Sequence, residues 1–409
     1  MKSKKLYILC WILTPILILS LSTFYKVNCI PNTLFLREGK ALKNSSIIKI
    51  TESKELKVAN IKENQKVKDK KVNVSLLGLV PLKTVSVKSV PSDIMVYPGG
   101  QPIGVKLNTK GVLVVALSDI QVDNSKVTSP AAAAGIQVGD SILKVNGVTI
   151  NSCEDMAKEV NYAKGKELEL EVDRKGSIIT KKVLPIKSTV DGNYKVGLWV
   201  RDSTAGVGTL TFYDMKSGRF AALGHPITDV DTGTILNINS GEIVSSSIVS
   251  VRKGQKGNPG ELKGIFIDEE NSLGEIYKNT ECGIFGKTKN KIVNKRYNNA
   301  IKIGLRDEIK EGAAKVLTTV DGSEPQLYDI QIEKLLSQQT SGPKSMIIKI
   351  TDPKLLEKTG GIVQGMSGSP IIQNDKLVGA VTHVLINKPD VGYGIYIEWM
   401  LKDADILSK

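Results

Sequence analysis

SPAAAAGIQVGDSILKVNGVTI, residues 129–150, is the run whose reading decides the fold of its part of the chain. Pro130 suits the first position of a helix, where its fixed φ helps and its missing N–H costs nothing. Ala131 to Ala134 give that short helix small side chains that pack closely on a sheet, and Gly135 ends it. Gly139 and Asp140 turn the chain into the strand SILKV, and Asn146-Gly147 is a hairpin-turn pair. Working outward, residues 153–163 read as an amphipathic helix with Met156, Val160 and Ala163 on one side. Lys166 to Val172 alternates as a strand.

This succession resembles a PDZ domain over residues 95–186. In bacterial domains of that kind, backbone N–H groups of a small-residue loop hold a peptide carboxylate. The resemblance places that loop at Gln101, Pro102, Ile103, Gly104 and Val105, followed by a strand to which a peptide or protein ligand adds edge-on. The other reading of the groove is an internal docking surface.

The 409-residue length allows two domains plus tails, and 37 glycines suit many short strands and tight turns. The net charge of +14 is unevenly spread: Lys2, Lys4 and Lys5 precede an apolar segment, and a lysine-dense stretch runs from Lys49 to Lys71. No aromatic residues interleave with those lysines, which argues against a nucleic-acid surface. Residues 6–25 are 20 uncharged positions, enough for a bilayer-spanning helix, and the flanking lysines favour a cytoplasmic N-terminus. A cleaved signal peptide is the alternative. The cysteines at 10, 29, 153 and 282 show no metal or redox spacing, and with two histidines no metal site or cofactor is expected.

The expected architecture is therefore mainly β: a membrane anchor at 1–26, a flexible lysine-rich linker at 27–73, a strand-rich connector at 74–94, the α+β PDZ domain at 95–186, and a β-rich domain at 187–409. From Val196 onward, VGTLTFYD, RFAALGH, KSMIIKIT and SPIIQNDKLVGAVTHV read as short strands of a barrel or sandwich, trypsin-like folds included. Glu398 to Leu407 reads as a closing helix.

Gly365-Met366-Ser367-Gly368-Ser369-Pro370 is the sharpest chemical signal. A serine hydroxyl needs a base to become a nucleophile, and a tight turn that presents N–H groups to the developing oxyanion. The glycines permit the turn, and Gly365 and Ser367 would supply the N–H groups. The base is then His225, at the strand-to-loop corner before Pro226; His383 lies inside a later strand and reads as structural. The orienting acid stays open among Asp229, Asp231, Asp268, Asp307, Asp321, Asp329 and Asp352. Asp229 and Asp231 could simply shape the His225 loop, and Asp352 could cap a helix opened by Pro353. The order of base and nucleophile rejects an α/β-hydrolase.

KITDPKLLEKTGGIVQGMSGSPIIQNDKLVGAVTHV, GYGIYIEWML, RDSTAGVGTLTFYD, ALGHPITDVDTG and KGNPGE are similar to stage IV sporulation protein B sequences, the SpoIVB peptidase family. The resemblance implies a serine endopeptidase with the triad His225, Asp352 and Ser367. It also implies export from the forespore, anchored in or released from the inner forespore membrane into the intermembrane space. There it would cut a membrane-protein regulator, so that an intramembrane protease activates a late sigma factor, and it would cut itself near the N-terminus. The alternatives are a PDZ chaperone-protease for envelope proteins and a non-catalytic PDZ scaffold.

Overall fold

The computed structural model describes residues 11, 13, 14, 17, 18, 20–25, 27–40, 48–52, 70–76, 78–289, 292, 294 and 297–407. Among them no helix is long and apolar enough to cross a membrane. Much of the expected anchor at 1–26 lies outside the described residues.

Strand pairing resolves the main body into two closed circuits. In the first, Pro102–Leu117 is flanked by Leu198–Asp214 on one edge and Ile238–Arg252 on the other. Leu198–Asp214 passes to Arg219–Ala222, then to Gly283–Thr288 and Gly274–Thr280, which returns to Ile238–Arg252. In the second circuit Gly312–Thr318, Gln326–Leu335, Met346–Ile350, Lys388–Tyr396, Lys376–Leu385 and Pro370–Gln373 follow one another and close on the first. Each circuit is a six-stranded antiparallel barrel. Closure leaves no unpaired edge within the circuit, which suits strands rich in Val, Ile and Thr.

Alternation along the strands fills each interior. Ile103, Val105, Leu107, Phe220, Ile243, Ile276 and Ile284 form the first core, and Ile330, Ile348, Ile371, Val381 and Ile395 belong to the second. The helix Ile397–Asp403 closes the second barrel with Trp399 and Met400 buried.

The PDZ unit grows out of the first barrel rather than preceding it. Gly111, at φ +71°, bends Pro102–Leu117 out of the barrel; a side chain there would meet Ile142 O at 2.3 Å. Beyond the bend the strand pairs with Ser141–Val145, and Leu198–Arg201 pairs with its far end. The helix Pro130–Ala133 has Ser129 as its cap, and Cys153–Tyr162 has Ser152. Val112, Ile142, Met156, Val160 and Leu170 form a separate core.

Two expectations are corrected here. Gln101 to Val105 is not a carboxylate loop. Ile103 and Val105 point into the barrel core, and residues 103–105 are paired on both sides, Gly104 with Val207 and with Val244. An added peptide strand has no free edge to use. Nor is the whole of 27–73 an exposed linker. Thr33–Arg37 is a strand parallel to Val80–Val90, and Phe35 is 3% exposed, edge-on to Trp399 at 6.0 Å. Burying such a ring contributes about 2–3 kcal/mol, which adds to the pairing with Val80–Val90 in holding the five-residue strand. Residues 41–47 and 53–69 of this stretch lie outside the described residues.

Candidate active site between the two barrels

A cleft of about 640 Å3 runs between the barrels, with His225 on one wall and Ser367 on the other. Ser367 sits in a turn held almost entirely by backbone. Gly365 and Gly368 have φ of +95° and +96°, open to glycine and strained for other residues. A Cβ on Gly368 would lie 2.2 Å from Thr209 O, so the turn presses directly against the first barrel. Met366 N–H donates to Val363 O, Gly368 N–H to Val381 O and Ser369 N–H to Met366 O. Among the described residues the N–H groups of Gly365 and Ser367 donate to no protein acceptor, which leaves them free to act as an oxyanion hole at the nucleophile.

His225 follows a different kind of corner. Leu223 and Gly224 both adopt positive φ, +70° and +72°, and Gly224 N–H donates back to Ala222 O. A leucine in that region stores strain, and it turns the chain so that the next residue faces the cleft. His225 Nδ1 lies 2.8 Å from Pro226 O. A carbonyl only accepts, so Nδ1 carries the proton and Nε2 keeps its lone pair, the tautomer a base needs. Burial lowers the His225 pKa below the usual imidazole value, opposed by the bond to Pro226 O.

Among the described residues no carboxylate reaches the His225 ring. Asp352, implied as the third member of a triad, caps the helix Pro353–Thr359, accepting from Lys354 N–H at 2.9 Å and Leu355 N–H at 3.1 Å. Its other oxygen accepts from Asp329 N–H at 3.3 Å. The structure therefore does not bring Asp352 to His225, and Pro226 O takes the orienting position. Asp229 and Asp231 shape the loop after His225, as their closeness in sequence suggested. Asp229 is buried, accepts from the N–H groups of Asp231 and Thr232, and pairs with Arg201, which also holds Asp231 at 2.7 Å. Burial would raise the Asp229 pKa, but the Thr232 hydrogen bonds and Arg201 bring it below the ordinary value.

Ser367 and His225 share the cleft without a hydrogen bond between them. Ser367 Oγ instead donates to Thr382 O at 2.8 Å. His383, read as structural from sequence, stands beside the base, its ring 5.0 Å from His225. Burial and the neighbouring His225 hold its pKa at about 4, so it is neutral at ordinary pH.

Sequence reasoning missed two residues. Thr209 ties both catalytic walls together: its N–H donates to Ser367 O at 3.1 Å, its hydroxyl to Gly365 O at 2.7 Å, and its carbonyl accepts from Leu223 N–H at 3.3 Å. Asn279 clamps the histidine loop, accepting from Ile227 N–H and donating to Ile227 O and Leu236 O. No local signal marks either, because their partners are far away in sequence.

The PDZ unit keeps a groove, built from other residues than expected. Leu198–Arg201 has one edge paired to residues 113–117. Its other edge borders a cavity of about 590 Å3 walled by Met156, Ala157 and Val160 of the helix Cys153–Tyr162. Strand edge, helix and gap together are the elements of a peptide-adding site.

Two barrels with a serine and a histidine facing each other across their junction define a serine peptidase, here carrying a PDZ domain. Residues 192–401 match the model of the SpoIVB peptidase S55 family and residues 102–184 that of the PDZ domain. The first match covers just over half of the chain, and the chain belongs to the SpoIVB peptidase S55 family.

Among curated proteins, it is 36% identical over 102 residues to a candidate zinc metalloprotease of Lactococcus lactis, covering 25% of this chain and 22% of that protein. To the zinc metalloprotease RasP of Shouchella clausii it is 42% identical over 65 residues, 16% and 15% of the two chains. The chain thus spans about a fifth or less of these relatives. The active form of a protease of M. tuberculosis aligns over 50% of this chain and 74% of its own at 13% identity, with a TM-score of 0.30. That score is too low to carry the fold, which stands on the strand pairing itself.

Proposed function

We propose that the chain is an exported serine endopeptidase that works with a Ser367–His225 pair and an oxyanion hole of the Gly365 and Ser367 N–H groups. Substrate carbonyl entering the hole brings its carbon to Ser367 Oγ, which leaves Thr382 O and passes its proton to His225 Nε2. The imidazolium returns that proton to the leaving amine, and Pro226 O steadies the ring throughout. Water then repeats the cycle on the acyl-enzyme. The observation that carries this reading is the pair of unengaged N–H groups, of Gly365 and of Ser367 itself, in a turn that faces His225 across one cleft.

In the cell the proposed role is that of the family resemblance. Anchored by residues 1–26 and facing the space between the spore membranes, the enzyme cuts a membrane-protein regulator of an intramembrane protease and so leads to activation of a late sigma factor. It also cuts itself in the lysine-rich 27–73 stretch, which frees it from the anchor. A peptide or protein ligand is held at the groove between Leu198–Arg201 and the helix Cys153–Tyr162. Expression of the wild type should yield products shortened by a few kilodaltons, while Ser367→Ala stays full length until active enzyme is added. Equal trimming of Ser367→Ala with no active copy present would refute self-release.

A further inference from the structure

Among the described residues, the cleft that holds Ser367 is lined without a single Asp, Glu, Lys or Arg. Its walls on the first barrel include Val207, Leu223 and Ile227, and on the second Ile362, Val384 and Ile386. Several acidic and basic groups close to it in sequence are matched elsewhere: Asp229 and Asp231 by Arg201, Glu261 by Arg252, and Lys106 by Glu269. The outside charge that bears on His383 is Lys344, which is positive and lies over the Tyr393 ring at 5.2 Å. A lysine or arginine side chain seated here would lose water, find no carboxylate and face a like charge; an acidic one would find no cation within the lining. An aliphatic side chain meets none of these penalties and buries its own surface against the walls.

From this we infer that the enzyme selects peptide bonds flanked by uncharged, chiefly aliphatic side chains, with Ile362, Val384 and Ile386 as specificity-determining residues. The inference rests on Ser367 being the nucleophile. It has a consequence for the chain's own tail. The stretch from Lys49 to Lys71 is crowded with lysines, yet the preference selects the uncharged, mostly aliphatic run Val58-Ala59-Asn60-Ile61 within it rather than a bond beside lysine.

The test is a cleavage profile. The full-length enzyme is incubated with a peptide library from a digested proteome, and mass spectrometry reads the residues on each side of every new terminus. Ser367→Ala serves as the blank. Aliphatic residues should exceed charged ones at the scissile bond by on the order of a hundredfold in kcat/KM, the discrimination expected when a buried charge is left unpaired. Val384→Asp should admit lysine and arginine. Labelling of Ser367 by peptide phosphonates with valine, lysine or glutamate side chains gives a second readout that needs no turnover. Ser367-dependent cuts beside Lys, Arg, Asp or Glu, or equal labelling by the three phosphonates, would overturn the specificity and leave the peptidase reading standing. Cutting that persists in Ser367→Ala, or no labelling of Ser367 by any of the three, would instead remove the nucleophile and the inference with it.

Discussion

The nucleophile turn and the histidine corner face each other across one cleft but are held in opposite ways. Around Ser367, the N–H groups of Met366, Gly368 and Ser369 bond to carbonyls of their own turn or the adjoining strand, and Gly368 touches the opposite barrel with no room for a methyl group. Around His225, the ring leans on its own neighbour's carbonyl, and the loop beyond it hangs from Arg201 and Asn279. One half of the active site is fixed by its own backbone; the other is positioned by distant side chains. Rigid presentation suits a nucleophile that must meet a fixed oxyanion hole, whereas a base must swing only slightly between serine and leaving group.

The largest effect should come from the serine itself. Ser367→Ala is expected to lower kcat/KM by about three orders of magnitude or more with an unchanged melting temperature, since a methyl fits wherever the hydroxyl did. Next comes Gly368→Ala, whose Cβ would press on Thr209 O from a left-handed backbone. It should cost about 2–4 kcal/mol of stability by thermal unfolding and reduce activity with it. An unaffected Gly368→Ala would break the claim that the turn is rigid.

On the other side of the cleft the effects should be smaller and kinetic. Asn279→Ala frees the histidine loop and is expected to cut kcat by about ten- to a hundredfold with KM little changed. A sharper probe is pH. Because burial lowers the His225 pKa and the base works unprotonated, activity should fall only as pH drops below about 6.5, the ordinary imidazole value. An acid limb centred above that value would mean that a carboxylate reaches the ring in the working enzyme. Smallest of all should be Asp352→Ala. It removes a helix cap worth about 1 kcal/mol and should leave kcat/KM within about threefold. A collapse of kcat in folded Asp352→Ala would restore the carboxylate triad.

The same contrast explains what could be read from the sequence. Ser367 and His225, which the structure places in one cleft, stand out in the sequence because a glycine-flanked serine and a histidine at a strand end announce themselves locally. Asp352 is ambiguous in the sequence because a carboxylate at a strand end before proline looks alike whether it orients a base or caps a helix; the structure holds it as a cap. Gln101 to Val105 failed for a similar reason: a strand beginning with small residues gives no sign that both its edges are taken. Phe35 could not be foreseen, since its partner Trp399 stands at the other end of the chain. Thr209 and Asn279 are ordinary polar residues until the barrel closes around them. The barrel strands and the unit at 129–150 came through because alternation and turn residues act over a few positions.

Leu198–Asp214 has a consequence for anyone who would take the molecule apart. The strand leaves the PDZ groove at Leu198, crosses the first barrel and reaches Thr209, where it fastens both catalytic walls. Pro102–Leu117 makes the same journey in reverse. The PDZ unit is thus less an appended module than a branch grafted onto two staves of a cask. Sawing residues 95–186 out of the chain would pull a stave from the peptidase, and the excised piece would lack the strand that forms its own groove. A working truncation has to enter and leave through the ribbon, joining residues near 109 to residues near 203, where the two strands already lie side by side.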